Sequence, residues 1–283
     1  MVILKHAGQL KSYISQQKTG SRNIGFVPTM GALHKGHLAL AEAAKKDTGT
    51  VVCSIFVNPT QFNNAVDYQK YPSTLESDIY QMELAGVDIL YLPDIAEMYP
   101  RGTDNLEHYD LGYLETTLEG KYRPGHFQGV CQVMSRLLTL VRPGALFMGQ
   151  KDYQQCMVIK RLLQLIPLET RFITCPTVRE PDGLAMSSRN LRLSGEDRIN
   201  ALAIYKSLEY IKQAAGTKDP DLSAIKTHAF QMLEQHGFRV DYVEIAEAET
   251  LKPVTDYDVS VPGVALIAAF LGEVRLIDNM VLS

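Results

Sequence analysis

The stretch PTMGALHKGH, residues 28 to 37, sets two imidazoles and two glycines where a strand hands over to a helix, a combination suited to handling phosphate. The apolar run Ile24 to Val27 reads as a buried parallel strand, and LALAEAAKK after the motif has helical spacing and composition. A helix N-terminus offers unpaired backbone N–H groups and the positive end of the helix dipole, and glycine lets a backbone approach an anion closely. Gly31 and Gly36 fit that use. His34 and His37 are three residues apart, so both rings lie on one face of the first turn and lean toward the strand end, within reach of a triphosphate. Both common nucleotide loops, GxGxxG and the P-loop, are absent. A lone HxxH is most simply a capped helix with two exposed histidines; the strand before it and the glycine spacing weigh against that here.

Further polar groups recur at strand ends. TVVCSIFVNPTQF is a strongly apolar strand broken by Asn58 and Pro59, with Gln61 just beyond it, where open α/β sheets bind ligands. EGKYRPGHFQGV reads as a loop that enters a helix at about Gln128, with Lys121, Arg123 and His126 gathered ahead of the apolar face. ALFMGQKDYQQ repeats the strand-turn-helix plan, with Gly149 and Lys151 in the turn and Asp152 in the first helical turn. PDGLAMSSRN is a Gly- and Ser-rich loop with one arginine, of the kind that closes over anions. Each alone is an ordinary polar loop or solvated helix start; their combination is harder to dismiss. No cluster of Asp and Glu has ligand spacing, so no protein-held metal is expected, and Mg²⁺ is expected only as an ion bridging phosphate oxygens.

Bulk properties point to small-molecule chemistry. A length of 283 residues suggests roughly two domains. The 46% hydrophobic and 21% charged content is that of an ordinary soluble enzyme, and a net charge of -4 gives no basic field for nucleic acid or an acidic membrane. Cys53, Cys131, Cys156 and Cys175 lack CxxC spacing and sit in apolar stretches, which predicts neither disulfide nor zinc site and fits a reducing cytosol. No early apolar run suits a signal peptide, and Val264 to Leu271 is far too short to span a bilayer, so a cytoplasmic protein is expected.

The elements that must position these groups follow from the pattern. A short strand and a helix around Gly8 to Gln17 precede Ile24; Ser73 with Glu76 predicts a capping box for a helix to about Leu84, ended by Gly86. VDILYLP and RFITCPTVRE read as further strands, and the turn-rich segment 94–119 is expected to cover the site. From Ser194 the character changes: a capped helix to about Ala215, a second helix to Gly237, then the strands VDYVEIA, VALIAAFL and EVRLID. The fold predicted is α/β, a Rossmann-like doubly wound parallel sheet over residues 1–176, followed by a smaller α+β domain over 177–283.

HxGH after the first strand of the motif region and a Ser-rich basic loop after the last strand resemble the nucleotidyl-transferase superfamily that includes class I aminoacyl-tRNA synthetases. There the second motif is KMSKS; here it is MSSRN, with Arg189 in place of a lysine. PTMGALHKGH, FVNPTQF, RPGHFQGV, MGQKDYQQ and TVREPDGLAMSSRN, in this order along nearly the whole chain, resemble the pantoate–β-alanine ligase family. That resemblance implies condensation of (R)-pantoate with β-alanine, using ATP, to pantothenate (a coenzyme A precursor), AMP and pyrophosphate through a pantoyl adenylate. It also implies a homodimer, and a C-terminal domain that covers an active site on the first domain.

Residue roles follow from the same resemblance. Met30, Gly31, Ala32, Leu33, His34, Lys35, Gly36 and His37 would bind ATP, with His37 as proton donor to phosphate oxygens. Gly149, Gln150, Lys151 and Asp152, with Met186, Ser187, Ser188 and Arg189, would line the nucleotide, Val178 against the adenine. Lys151 joins His37 as a catalytic residue; Gln61 and Gln155 would hold pantoate; Arg123 and His126 match a basic loop near the site. In one departure, Gln150 stands where the family pattern has Glu, which removes a charge beside Lys151. The main alternative is an adenylyltransferase of the same superfamily acting on another small acceptor, and a reading of a different class is a non-catalytic nucleotide sensor or RNA-binding remnant. The paired glutamines, and the absence of extra basic residues near Gln61, argue against a phosphorylated acceptor.

Overall fold

Parallel strands need helical crossovers, and the first part of the chain supplies them in turn. In the computed structural model, which describes residues 1–16, 24–63, 65–255 and 261–282, the order is β1 (Val2–Leu4), α1 (Ala7–Gln16), β2 (Ile24–Thr29), α2 (Lys35–Asp47), β3 (Thr50–Ile55), α3 (Ala65–Gln69), α4 (Leu75–Leu84), β4 (Ile89–Tyr91), α5 (Ile95–Met98), α6 (Glu119–Tyr122), α7 (His126–Val141), β5 (Ala145–Gly149), α8 (Tyr153–Leu165) and β6 (Arg171–Cys175). Gln17, the expected end of the first helix, lies outside the described residues. The six strands form one sheet in the order β1-β4-β3-β2-β5-β6, and every pairing is parallel. From β2 the chain winds outward through β3 to β4; it then returns to the other side of β2 with β5. The direction of winding therefore switches between β2 and β5, and at such a point the carboxyl ends of the two strands diverge into a crevice.

Both faces of the sheet are covered, as an all-parallel sheet requires. Val27, Val51, Cys53 and Phe147 pack with Leu40, Ala41 and Ala44 of α2 and Met82 of α4. The alternate strand positions Phe26, Val52, Ile89 and Leu146 are equally buried. The four cysteines are buried free thiols, and burial pushes that of Cys131 up to about 12 and raises those of Cys53 and Cys175.

The rest of the chain contributes α9 (Gly195–Asn200), α10 (Leu202–Ala215), α11 (Leu222–Gln235), β7 (Phe238–Glu247), β8 (Gly263–Leu271) and β9 (Val274–Leu282). The strands form an antiparallel sheet in the order β7-β8-β9, and α10 and α11 pack over it through Ile204, Leu208, Ile211, Ile225, Ala229 and Leu233. Two compact units result: Met1–Gly149 with Val158–Pro176, and Gln150–Met157 with Thr177–Ser283. The segment 150–157 joins the second unit because Asn279 holds the carbonyls of Gln150 and Lys151, and the Tyr153 hydroxyl donates to the Ala248 carbonyl at 2.7 Å. Among the described residues no helix is long and apolar enough to cross a membrane.

Three expected helix boundaries shift. The helix expected at Gln128 begins at His126, because Gly125 takes the N-cap position and Glu119–Tyr122 forms a separate short helix. The helix expected over 194–215 is two, meeting at Ala201, although Ser194 caps it as predicted by accepting the Asp197 N–H at 3.0 Å. The Ser73/Glu76 capping box is not formed; the N-cap is Thr74, for a reason given below.

Phe147 is 1% exposed in the core beside α2. Phe147→Ala is expected to cost about 3–5 kcal/mol through lost burial and the cavity left behind, read as a lower denaturation midpoint at unchanged slope.

Candidate functional site

The turn after β2 departs from regular backbone at once. Gly31 and Ala32 both have positive φ, 82° and 51°. A β-carbon on Gly31 would stand 3.1 Å from an Asp78 oxygen and 3.2 Å from Ile55, so a larger residue would crowd both as well as strain φ. The side chain that secures the turn is Asp78 of α4, only 1% exposed. Its carboxylate accepts the backbone N–H groups of Ala32 and Leu33, each at 2.9 Å, and the Thr74 hydroxyl at 2.9 Å. Thr74 therefore spends its hydroxyl on Asp78 and makes no side-chain cap of its own helix.

His34 is the N-cap of α2, with extended φ and ψ of -138° and 172°. Its Nδ1 accepts the Gly36 N–H at 3.1 Å, and the Nδ1 of His37 accepts the His34 N–H at 3.4 Å. A ring nitrogen that accepts carries no proton, so both neutral rings hold theirs on Nε2. The rings lie 4.1 Å apart, centroid to centroid, on one face of the first turn, as the spacing predicts. One expectation needs correction: the N–H groups of Ala32 and Leu33 are taken up by Asp78 of α4, and those of His34 and Gly36 by the His37 and His34 rings of the turn itself. Those four are not the ready anion donors that a bare helix start would offer.

Gln61 ends a 3-10 turn, Pro59–Gln61, that follows β3. Its amide is oriented by two contacts: Oε1 accepts from Asn58 Nδ2 at 3.2 Å, and Nε2 points at the Met30 sulfur at 3.1 Å. Asn58, 1% exposed, is in turn held by the Tyr99 hydroxyl at 2.7 Å and by the Gly129 carbonyl at 3.1 Å. Burial raises the Tyr99 phenol, so it stays protonated and donates. His126, buried at the start of α7, donates from Nδ1 to the Gln61 carbonyl at 2.8 Å. Helix and turn approach so closely that a β-carbon on Gly129 would meet the Thr60 carbonyl oxygen at 2.4 Å. Met30 and Gln61 are thus brought together, with His126 behind Gln61, while Arg123 pairs with Glu119 at 3.8 Å. Beside the first turn lies a cavity of about 560 Å³, walled in part by Met30, Gly31, Ala32, Phe56, Thr74 and Asp78 and of a size that suits a small molecule. His34, His37 and Gln61 are not among its walls.

In the second unit, Gln150, Lys151 and Asp152 form a 3-10 turn ahead of α8, tighter than the α-helical turn expected. Gln150 Nε2 donates to Asn279 Oδ1 at 3.2 Å, a bond that a glutamate there could not make. Of the two neighbouring glutamines Gln154 is buried and Gln155 half-buried, four residues after Lys151. The MSSRN segment is folded back: the Met186 N–H donates to the Val178 carbonyl at 3.0 Å beside a bridge between Arg179 and Ala185. Ser187 caps a 3-10 turn by accepting the Arg189 N–H at 3.3 Å, and Ser188 is buried. Sequence reasoning missed Asp78, Asn58, Tyr99 and Asn279. Only Asn58 carried a signal, as the polar break that ends an apolar strand.

Residues 2–281 match the family model described as Pantoate-beta-alanine ligase. The chain is 44% identical to a pantothenate synthetase of Cytophaga hutchinsonii, over 100% of this chain and 99% of that one. A crystal structure of pantothenate synthetase from Thermus thermophilus superposes with a TM-score of 0.90 at 40% identity, covering 99% of both chains. A pantoate-beta-alanine ligase from Francisella tularensis, crystallised with beta-gamma ATP and beta-alanine, superposes with a TM-score of 0.82 at 37% identity, covering 99% of this chain and 97% of that one.

Asp78→Ala leaves two buried N–H groups without their charged acceptor, and each such bond contributes about 1.5–3 kcal/mol. The expected outcome is a loss of at least that size in chemical denaturation, together with faster amide exchange at Ala32 and Leu33. Gly129→Ala is expected to push the 59–61 turn off α7, visible as altered amide resonances for Thr60 and Gln61 in a chain that remains folded.

Proposed function

The chain belongs to the pantoate–β-alanine ligase family, and on that premise we propose that it joins (R)-pantoate to β-alanine in two steps. In the first, the pantoate carboxylate attacks the α-phosphorus of ATP, an acyl–phosphate bond forms, and pyrophosphate leaves with the broken P–O bond. In the second, the neutral amine of β-alanine attacks the acyl carbon; the amide forms, AMP leaves, and the ammonium proton passes to solvent. The observation that carries this reading is the HxGH turn at the sheet's switch point, with the Nδ1 of each imidazole accepting a backbone N–H.

Charge builds on the α-phosphate and on the departing pyrophosphate, so donors held in place beforehand act mainly in the transition state. Met30 to His37 are the ATP-binding turn of this reading. His37 serves as a neutral donor from Nε2, since an imidazolium would need a proton on the nitrogen that now accepts the His34 N–H. Lys151 supplies the positive charge, aided by Ser187, Ser188 and Arg189; Gly149, Gln150, Asp152 and Met186 line the nucleotide, and Val178 lies against the adenine. Gln61 and Gln155 hold pantoate. With its Oε1 engaged by Asn58, Gln61 offers N–H to a carboxylate or hydroxyl oxygen. His126 supports Gln61 through the turn carbonyl, and Arg123 stands by with Glu119. Mg²⁺ would arrive with the nucleotide and would offset phosphate charge; no group of three or more His, Cys, Asp or Glu is gathered for a metal among the described residues. We further assign the protein to the cytoplasm as a homodimer, a state that light scattering in solution checks.

The reading is tested by pyrophosphate exchange. Pantoate alone, without β-alanine, is expected to support incorporation of labelled pyrophosphate into ATP; exchange that requires β-alanine would overturn the two-step scheme. Lys151→Ala and His37→Ala are expected to lower kcat for adenylation by about 100- to 1000-fold, and to regain much of their rate when pantoyl adenylate is supplied. Gln61→Ala is expected to raise KM for pantoate far more than KM for ATP, by the roughly 1–3 kcal/mol that an unpaired buried substrate group costs.

A further inference from the structure

Asn279 lies on β9, 2% exposed, and reaches back across more than a hundred residues of sequence to the turn that carries Lys151. Its side-chain nitrogen uses both hydrogens, donating to the Gln150 carbonyl at 3.0 Å and to the Lys151 carbonyl at 2.8 Å. The oxygen of the same amide accepts from Gln150 Nε2 at 3.2 Å. Every hydrogen-bonding atom of this amide is thus engaged by two successive residues of one short turn. The amide itself is rigidly mounted. Its backbone N–H donates to Asp278 Oδ1 at 2.8 Å, and its carbonyl accepts from Arg179 Nη2 at 3.3 Å. Asp278, 2% exposed, and Arg179 form a two-pronged ion pair at 2.6 and 3.1 Å, and the guanidinium lies 4.8 Å from the centre of the Tyr205 ring. A bidentate pair anchored on a buried carboxylate holds one geometry, and Asn279 inherits it.

We propose that Asn279 is a positioning residue for Lys151: by clamping the backbone carbonyls of residues 150 and 151 to β9, it fixes where the Lys151 ammonium is delivered. The proposal rests on the reading that Lys151 assists adenylation. Displacement of a catalytic group by about 1 Å can cost on the order of 100-fold in rate, so an amide that touches no substrate can still control kcat.

The test uses the full chain, with pyrophosphate exchange as readout and thermal unfolding as a control, on Asn279→Ala, Lys151→Ala and the double variant. Asn279→Ala is expected to lower kcat for exchange by about 10- to 100-fold with little change in KM for pantoate. The double variant is expected to be no slower than Lys151→Ala alone, because a residue that works through Lys151 has nothing left to position. Losses that multiply would overturn the proposal, since they describe a residue acting independently. A wild-type rate for Asn279→Ala beside an impaired Lys151→Ala overturns it while leaving the role of Lys151 intact; a wild-type rate for Lys151→Ala overturns both. Should Asn279→Ala not fold, Asn279→Asp keeps the shape and removes both N–H donors. It is expected to lose rate similarly and to recover part of it, relative to wild type, as falling pH returns one hydrogen to the carboxyl; an unaltered kcat in that variant overturns the proposal.

Discussion

A parallel sheet sends every strand's carboxyl end to the same edge, and this constraint organises the first unit. Residues around 30, 61 and 149, far apart in the chain, follow β2, β3 and β5 and so emerge at one rim. Because winding reverses between β2 and β5, the crossovers on either side lead away from each other and leave that rim open. Helices such as α7, buried along most of its length, serve as the stiff floor under the rim. The close approach at Gly129 lets α7 carry the Gln61 turn directly.

In both units, polar residues hold the turns that carry the proposed site residues. Asp78 secures the turn after β2, Asn58 with Tyr99 orients Gln61, and Asn279 with Arg179 and Asp278 secures the turn before α8. Asp78, Asn58, Tyr99, Asp278 and Asn279 are buried and hydrogen-bonded, the condition under which a polar network rigidifies rather than destabilises. These turns are therefore stiff, and each is secured by individual side chains.

What could be read from the sequence was whatever is local. Strand-turn-helix at Ile24–Asp47, the N-cap at Ser194 and the late shift to antiparallel strands all depend on neighbours within a few residues. Histidines three apart announce their shared face for the same reason. Asp78 looked like any acid in a first helical turn, because its partners lie 45 and 46 residues away. The Ser73/Glu76 signal misled because Thr74 takes the N-cap and gives its hydroxyl to Asp78 one turn later, an acid whose place is set by the distant N–H groups of Ala32 and Leu33. Asn279 sits in a plain strand pattern, and only folding brings it to Gln150, 129 residues earlier.

The burial of all four thiols has a chemical corollary. Alkylating reagents attack thiolate; all four groups are enclosed, and burial holds Cys53, Cys131 and Cys175 in the protonated form. Modification at each can proceed only as fast as its surroundings open. Cys53 on β3 and Cys175 on β6 thus report opening at two strands of one sheet, and Cys131 on α7 and Cys156 on α8 report it at two helices. Each gives the local free energy of opening at its own strand or helix without any introduced label.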